Sequence, residues 1–270
     1  MPQNVFVLGA SSDIGRALVV RFLEAGCRVT GTYRNKSAIE DLVDLPNLHL
    51  VCCRVDDQVS ISQAVHSFSV GGGKWDTFVS SIGTEEPIGP FFENDFDAWE
   101  SSVIVNSTAQ LRVLHQLYPY RTVQQTCNVV FFAGGGTNNP FPNYSAYCVS
   151  KILLIKMCEL LDNEYKDLNV FILGPGFVRT KIHLQTLAKG LHAGQNYQRT
   201  MEFLRPENPG TSIDDIYECI NWGITQGREV VGGRNFSVVH DLWRRGGIQL
   251  IEQLREDPDK FKLRRSGNMG

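Results

Sequence analysis

The chain is expected to fold as an α/β protein, a single-domain doubly wound parallel sheet, and three observations in its 270 residues carry that expectation. Short β-rich runs alternate with helical stretches almost from the first residue. An apolar fraction of 42% is enough for a large core, and a glycine-rich turn stands between the first strand and the first helix. Strong strands separated by helices of about ten or more residues make βαβ units, which give a parallel sheet covered on both faces. The whole chain, 1–270, reads as one domain.

NVFVL (4–8) reads as the first strand and DIGRALVVRFLEAG (13–26) as the first helix, with Ile14, Leu18 and Phe22 on one face and Gly26 as its stop. CRVTGTY (27–33) is the second strand, followed by a short helix through SAIEDLV (37–43) and a third strand, LHLVCC (48–53). A helix near 58–69 and the GGG turn at 71–73 lead to a fourth strand, WDTFVSS (75–81). One long helix is expected over 97–118, a strand over 127–133, a second long helix over 145–165 and a strand over 169–173. RNFSVV (234–239) is the last strand. The stretches 181–210 and 241–270 are less regular and read as additions to the core, a substrate-covering segment and a C-terminal extension.

Charged residues make up 20% of the chain and the formal net charge is -3, values that exclude a disordered chain and one built to lie along nucleic acid. No apolar run approaches the ~20 residues needed to span a bilayer. MPQNVFVLGA (1–10) has neither the basic start nor the apolar length of a signal peptide, so a cytoplasmic protein without a membrane partner is expected. The seven cysteines (27, 52, 53, 127, 148, 158, 219) form no C-x-x-C pair and the six histidines show no ligand spacing. Free, mostly buried thiols and no metal site follow. KFKLRRSGNMG (260–270) is locally basic and reads as a solvated terminus.

GASSDIG (9–15) turns the chain off the first strand and into the first helix. A glycine permits the tight turn, and the helix N-terminus offers free N–H groups and a positive dipole end to a pyrophosphate. Ser11 and Ser12 can add hydroxyl donors. Asp13 stands where a third glycine is expected; it can N-cap the helix, but its carboxylate must point away from a pyrophosphate. The end of the second strand reports on the dinucleotide. TYRNK (32–36) puts Tyr33 where an acid would grip a ribose 2′-hydroxyl, with Arg34 next and Lys36 nearby, so NADP(H) is favoured over NAD(H). The alternative is that Arg34 and Lys36 are a solvated turn.

Tyr147 and Lys151, four apart in YCVSK, share one face at the start of a helix. A tyrosine with an ordinary pKa of ~10 is a poor proton shuttle at neutral pH, and an adjacent ammonium favours its phenolate. With GASSDIG, SSIG (80–83), Asn106 within the long helix and PGFVRT (175–180) after the sixth strand, all in order, the sequence resembles the short-chain dehydrogenase/reductase family from about residue 4 to about 180, and again near 234–239.

The resemblance implies a Rossmann fold and carries roles onto particular positions. Gly9, Ser11, Ile14 and Gly15 match the cofactor-phosphate turn, and Gly83 the glycine of the family's N-A-G turn, with Ser80 in place of its first asparagine. Asn106 matches the helix asparagine whose main chain holds a water in the proton relay. Tyr147 matches the proton donor to a carbonyl or acceptor from an alcohol, and Lys151 the residue that lowers its pKa and binds the ribose. Pro175, Gly176 and Thr180 match the segment facing the nicotinamide. The family's catalytic serine, about thirteen residues before the tyrosine, falls on Gly134, and Thr137 is the nearest hydroxyl to replace it. The adenine-contacting aspartate falls on Arg54. The GGG turn at 134–136 with the proline-rich stretch after it resembles a sub-branch associated with bacterial sugar and surface-polysaccharide pathways.

These features imply an NADP(H)-dependent oxidoreductase acting on a carbonyl or secondary alcohol of a small, sugar-type molecule. Thr137 or the backbone N–H groups of 134–136 would hold the substrate oxygen. The alternative is a dinucleotide-binding regulatory or scaffold protein of the same fold with weakened catalysis. A nucleotide-sugar epimerase or dehydratase is a third reading, for which the chain is short. Apolar residues Ile152, Leu153, Leu154, Ile155 and Met157 nearly encircle the second long helix. By resemblance the two long helices pair across subunits in a homodimer or homotetramer.

Overall fold

The computed structural model describes residues 3–265; the first two residues and the end of the basic tail, 266–270, lie outside them. Seven strands form one sheet: β1 (Asn4–Leu8), β2 (Arg28–Tyr33), β3 (Leu48–Cys52), β4 (Thr77–Ser80), β5 (Cys127–Phe132), β6 (Leu168–Gly174) and β7 (Asn235–Ser237). Their order is β3-β2-β1-β4-β5-β6-β7, and every neighbouring pair is parallel. The doubly wound sheet expected from the alternation is therefore the observed one.

Alternation of side chains along each strand divides the core in two. Val5 and Val7 of β1 face one side and Phe6 and Leu8 the other; β5 sends Val130 and Phe132 one way and Cys127, Val129 and Phe131 the opposite way. Helices α1 (Asp13–Glu24), α8 (Ile213–Gln226), α9 (Arg228–Val231) and α10 (Gly247–Glu256) close the first face. Helices α2 (Gln58–Val70), α4 (Ala109–Leu117) and α5 (Ser145–Glu164) close the second. All residues of β4 and β5 are buried, as strands covered on both faces must be.

The expected elements are present with shifted ends, and three regions differ in kind. The stretch read as one helix over 97–118 is α3 (Phe96–Val103), a π-helical turn at Ile104–Thr108 and α4. The irregular stretch 181–210 holds α6 (His183–Lys189) and α7 (Gln195–Phe203), and the C-terminal extension holds α10. Helix α8 went unrecognised, although its signals are ordinary. Ser212 caps it by accepting from the Asp215 N–H at 3.0 Å, Asp214 and Asp215 stand in its first turn, and Ile216, Cys219, Ile220 and Gly223 are its buried stripe.

Five of the seven cysteines are buried, with Cys148 partly buried and Cys52 exposed. No helix among the described residues is long and apolar enough to cross a membrane. Ile152, Leu153 and Met157 are half-buried within the chain, so α5 is covered on more than one side.

The C-terminal extension is tied to the sheet by one buried guanidinium. Arg234 donates from Nη1 to the carbonyls of Asp257 at 3.1 Å and Lys260 at 2.6 Å, and from Nη2 to that of Leu254 at 2.6 Å. Arg234→Met leaves three carbonyl oxygens without their donor and should cost about 3 kcal/mol in urea unfolding. Limited proteolysis of the variant should release the segment after Val239 first; equal stability and an equal cleavage pattern would contradict this.

Candidate active site

Strand order reverses between β1 and β4, so the loops leaving their C-terminal ends part and open a cavity of about 1550 Å³. The turn after β1, the end of β2 and the segments after β4, β5 and β6 line it, together with Tyr147 and Lys151 of α5.

The turn after β1 is built for close approach. Gly9 has φ +97°, and its N–H donates to Thr32 Oγ1 at 2.9 Å, while the Ala10 N–H donates to the Thr32 carbonyl at 2.7 Å. A Cβ on Gly15 would overlap the Gly9 carbonyl oxygen and the Ser81 hydroxyl, so only glycine lets α1 start this near β1. Ser12, not Asp13, is the N-cap: its Oγ accepts from the Gly15 N–H at 3.0 Å and donates to Ser81 Oγ at 3.0 Å. Ser81 Oγ in turn lies 3.1 Å from the Leu8 carbonyl and 3.2 Å from that of Gly9. Ser11, Ser12 and Ile14 all line the cavity, and the Ser12 hydroxyl is also engaged by the fold.

Asp13 lines the same cavity and is held by the segment after β6. Its Oδ2 accepts from the Lys181 N–H at 2.6 Å, and Lys181 Nζ stands 3.8 Å from Oδ1 and 3.1 Å from the Ser11 carbonyl. The carboxylate is neutralised by the segment after β6. At the end of β2, Arg34 is exposed on the cavity wall and has no ion-pair partner among the described residues. Arg54, in place of the adenine-contacting acid, is held by Asp56 at 3.1 Å.

Gly9, Gly15, Asn106, Arg34 and the Tyr147–Lys151 pair come from four segments and meet at this one end of the sheet. Asn106 lies fully buried in the π-helical turn, where an extra residue per turn re-aims side chains. Its Oδ1 accepts from the Thr84 N–H at 2.8 Å and its Nδ2 donates to the Thr84 carbonyl at 2.8 Å, which fixes the strand of chain after Gly83. A Cβ on Gly83 would lie 3.5 Å from Asn106 Oδ1 and 3.8 Å from Lys151 Nζ, so the two side chains converge beside that glycine. Lys151 Nζ is 5.6 Å from the centroid of the Tyr147 ring and makes no hydrogen bond among the described residues. Pro175, Gly176 and Thr180 line the opposite wall. Gly176 has φ +75°.

The Tyr147 hydroxyl packs directly on Gly134. A Cβ at Gly134 would stand 2.5 Å from Tyr147 Cε1 and Cζ and would overlap the phenol oxygen, so a serine at this position would require the Tyr147 ring to shift. Thr137 lines the cavity, but its Oγ1 donates back to the Gly134 carbonyl at 3.3 Å. The N–H groups of Gly134, Gly135 and Gly136 have no acceptor among the described residues.

Burial lowers Lys151 to about 8, so it remains charged at neutral pH. The expectation that this ammonium brings the Tyr147 phenol down is not met in the chain alone. Burial, and then the negative charge of Glu85 and Cys148, hold the phenol above its ordinary value.

Glu85 itself escaped the sequence reading, as did Ser81, Thr84 and Lys181. The only signal was place, two residues beyond Gly83. Burial raises its carboxyl to about 7 against the opposing hydrogen bond from Thr186. A raised carboxyl contributes stability that is complete below its unfolded value of 4.5 and is lost as the pH climbs through about 7. Tyr144 and Tyr147 stay neutral and Lys151 stays charged across that window. Urea unfolding of wild type should therefore lose up to ~3 kcal/mol relative to Glu85→Gln between about pH 4.5 and 7. A constant difference across that range would contradict the assignment.

Residues 3–189 match the family described as short chain dehydrogenase. A serine 3-dehydrogenase from Rhizobium radiobacter is 24% identical over 234 residues, covering 85% of this chain and 91% of that protein. An uncharacterized oxidoreductase of Saccharomyces cerevisiae is 26% identical over 188 residues, covering 68% and 74%. The crystal structure of a Saccharomyces cerevisiae short-chain dehydrogenase/reductase shares the fold with TM-score 0.79 at 20% identity, covering 90% of this chain and 98% of that one. A short chain dehydrogenase from Shigella flexneri, solved in complex with NADP, does so with TM-score 0.72 at 19% identity, covering 87% and 96%. With this sheet order and this match over most of its length, the chain belongs to the short-chain dehydrogenase/reductase family of oxidoreductases.

Proposed function

We propose that the protein is an NADP(H)-dependent oxidoreductase of carbonyls and secondary alcohols. One observation carries the reading: Tyr147 and the buried, hydrogen-bond-free Lys151 face the same cavity as the glycine turn at the start of α1. The residues fit a dinucleotide. Gly9 and Gly15 leave a cradle that side chains would fill, the α1 N-terminus faces it, and Asp13 is neutralised by Lys181. The unpaired Arg34 suits a 2′-phosphate at the end of β2.

When bound, the nicotinamide supplies or accepts the hydride. Tyr147 gives its hydroxyl proton to the carbonyl oxygen, or takes the proton of an alcohol. Lys151 stabilises the phenolate that this leaves and holds the ribose, and the Asn106 main chain holds the water that returns the proton. The serine's task of orienting the substrate oxygen falls to the unpaired N–H groups of Gly134–Gly136, preorganised donors of the oxyanion-hole type, with Thr137 beside them. The polar wall of Asn138, Asn139, Gln185 and Asn196 suits a hydroxylated, sugar-type molecule, covered by the segment 181–210. The exposed Ile104 of the π-helical turn and Val149 and Leu160 of α5 support pairing through this helical face in a cytoplasmic homodimer or homotetramer.

A second reading, a dinucleotide-binding regulatory protein, draws on Gly134, which leaves no serine. One set of measurements separates the two. Calorimetric titration should show NADPH binding more tightly than NADH, with that preference falling about 10–100-fold in Arg34→Ala. Reduction of a panel of ketones should fall ~10²–10⁴-fold in Tyr147→Phe. Tight NADPH binding with no turnover of any carbonyl favours the regulatory reading, and equal activity of Tyr147→Phe refutes the tyrosine mechanism.

A further inference from the structure

Glu85 is a carboxylate that the fold supports without using. It is half-buried on the cavity wall, on the chain segment that Asn106 clamps through Thr84. Its own N–H donates to Gln185 Oε1 at 2.8 Å, so the α6 segment holds its backbone in place. Its Oε2 accepts from Thr186 Oγ1 at 2.8 Å, and Thr186 Oγ1 lies 2.7 Å from the Tyr144 hydroxyl. A threonine hydroxyl has one hydrogen. With that hydrogen on Glu85, Tyr144 must donate to Thr186, and the relay Tyr144 to Thr186 to Glu85 runs in one direction. Two buried hydroxyls are thus aligned to favour the ionised carboxylate.

The second oxygen, Oε1, receives no hydrogen bond, and no cation lies within ion-pair distance of Glu85 among the described residues. Oε1 is not sealed inside the protein, so a cationic group of a molecule bound in the cavity can reach it and pair with it. Among the described residues no helix cap, strand or ion pair uses this carboxylate. Tyr147, whose phenol its charge affects, and Phe141 line the same cavity, while Tyr144 is fully buried with its ring against Phe141. A carboxylate with one oxygen held by the fold and the other free toward a cavity is the chemistry that pairs with an organic cation.

We propose that Glu85 receives, at Oε1, the ammonium group of the substrate, so that the site takes small alcohols and ketones that carry a primary amine near the reacting carbon. The inference rests on the dehydrogenase reading for the identity of the reacting carbon, and it makes Glu85 the specificity-determining residue. It also gives the support from α6 a purpose: the covering segment, through Gln185 and Thr186, sets the position of the anchor.

The test compares two compounds of nearly equal shape, 2-amino-1-phenylethanol and 1-phenyl-1-propanol, which differ in an ammonium against a methyl. Oxidation of each with NADP⁺ is measured for wild type and for Glu85→Gln, which keeps shape and a donor but loses the charge. Wild type should prefer the amine by about 10–100-fold in kcat/KM, and the variant should bring that ratio close to one. Wild type without a preference, or a preference kept in the variant, overturns the proposal. Equilibrium binding of the same pair to the NADP⁺-loaded protein gives the same comparison without turnover. An amine preference in binding with no oxidation of either compound upholds the anchor and refutes the dehydrogenase reading. Equal oxidation of both does the reverse. Should Glu85→Gln fail to fold, wild type without an amine preference still overturns the proposal.

Discussion

Between β1 and β4 the sheet changes its direction of winding, and the two strand ends must part without drifting. Three serine-centred bonds hold them: Ser12 Oγ donates to Ser81 Oγ, and Ser81 Oγ reaches the carbonyls of Leu8 and Gly9. The same Ser12 oxygen caps α1 through the Gly15 N–H. One small polar cluster therefore sets the start of the helix, the path of the glycine turn and the width of the cleft. Everything that faces the cavity is placed relative to it, because Gly83, Thr84 and Glu85 follow directly from Ser81.

From this cluster the site is assembled by main-chain clamps. Asn106, thrown inward by the π-helical turn, grips both main-chain groups of Thr84. Lys181 reaches back to Asp13 and the Ser11 carbonyl, so the segment after β6 touches the turn after β1. These contacts explain how a chain with an aspartate at a customary glycine position retains a cradle suited to a pyrophosphate. The loss of the serine is explained by packing in the same way. Gly134 is the floor on which the Tyr147 ring rests, and three adjacent glycine N–H groups are left free beside it.

Much of this was legible in the sequence, because its signals are local. Val5, Phe6, Val7 and Leu8 read as a strand buried on both faces, the glycines of GASSDIG mark a strand-to-helix turn, and Tyr147 and Lys151 declare their shared helical face by spacing alone. The π-helical turn was not legible, since IVNST has no signature that separates it from a continuous helix. Ser81 and Lys181 take their importance from partners 69 to 73 and 168 to 170 residues away, respectively. Glu85 looks like one of two surface acids in TEEP until α6 folds over it. The pKa of Tyr147 was misjudged for the same reason: spacing reveals the ammonium, but not the burial that outweighs it.

The most direct test of this account is a calorimetric titration of NADPH into Ser81→Ala beside wild type. Removing that hydroxyl unties Ser12 from the end of β4 and frees the Leu8 and Gly9 carbonyls while leaving every other cavity-lining residue unchanged in kind. The account predicts a folded variant whose NADPH affinity falls about tenfold or more. Unchanged affinity in a folded Ser81→Ala would contradict the claim that this cluster sets the geometry of the site.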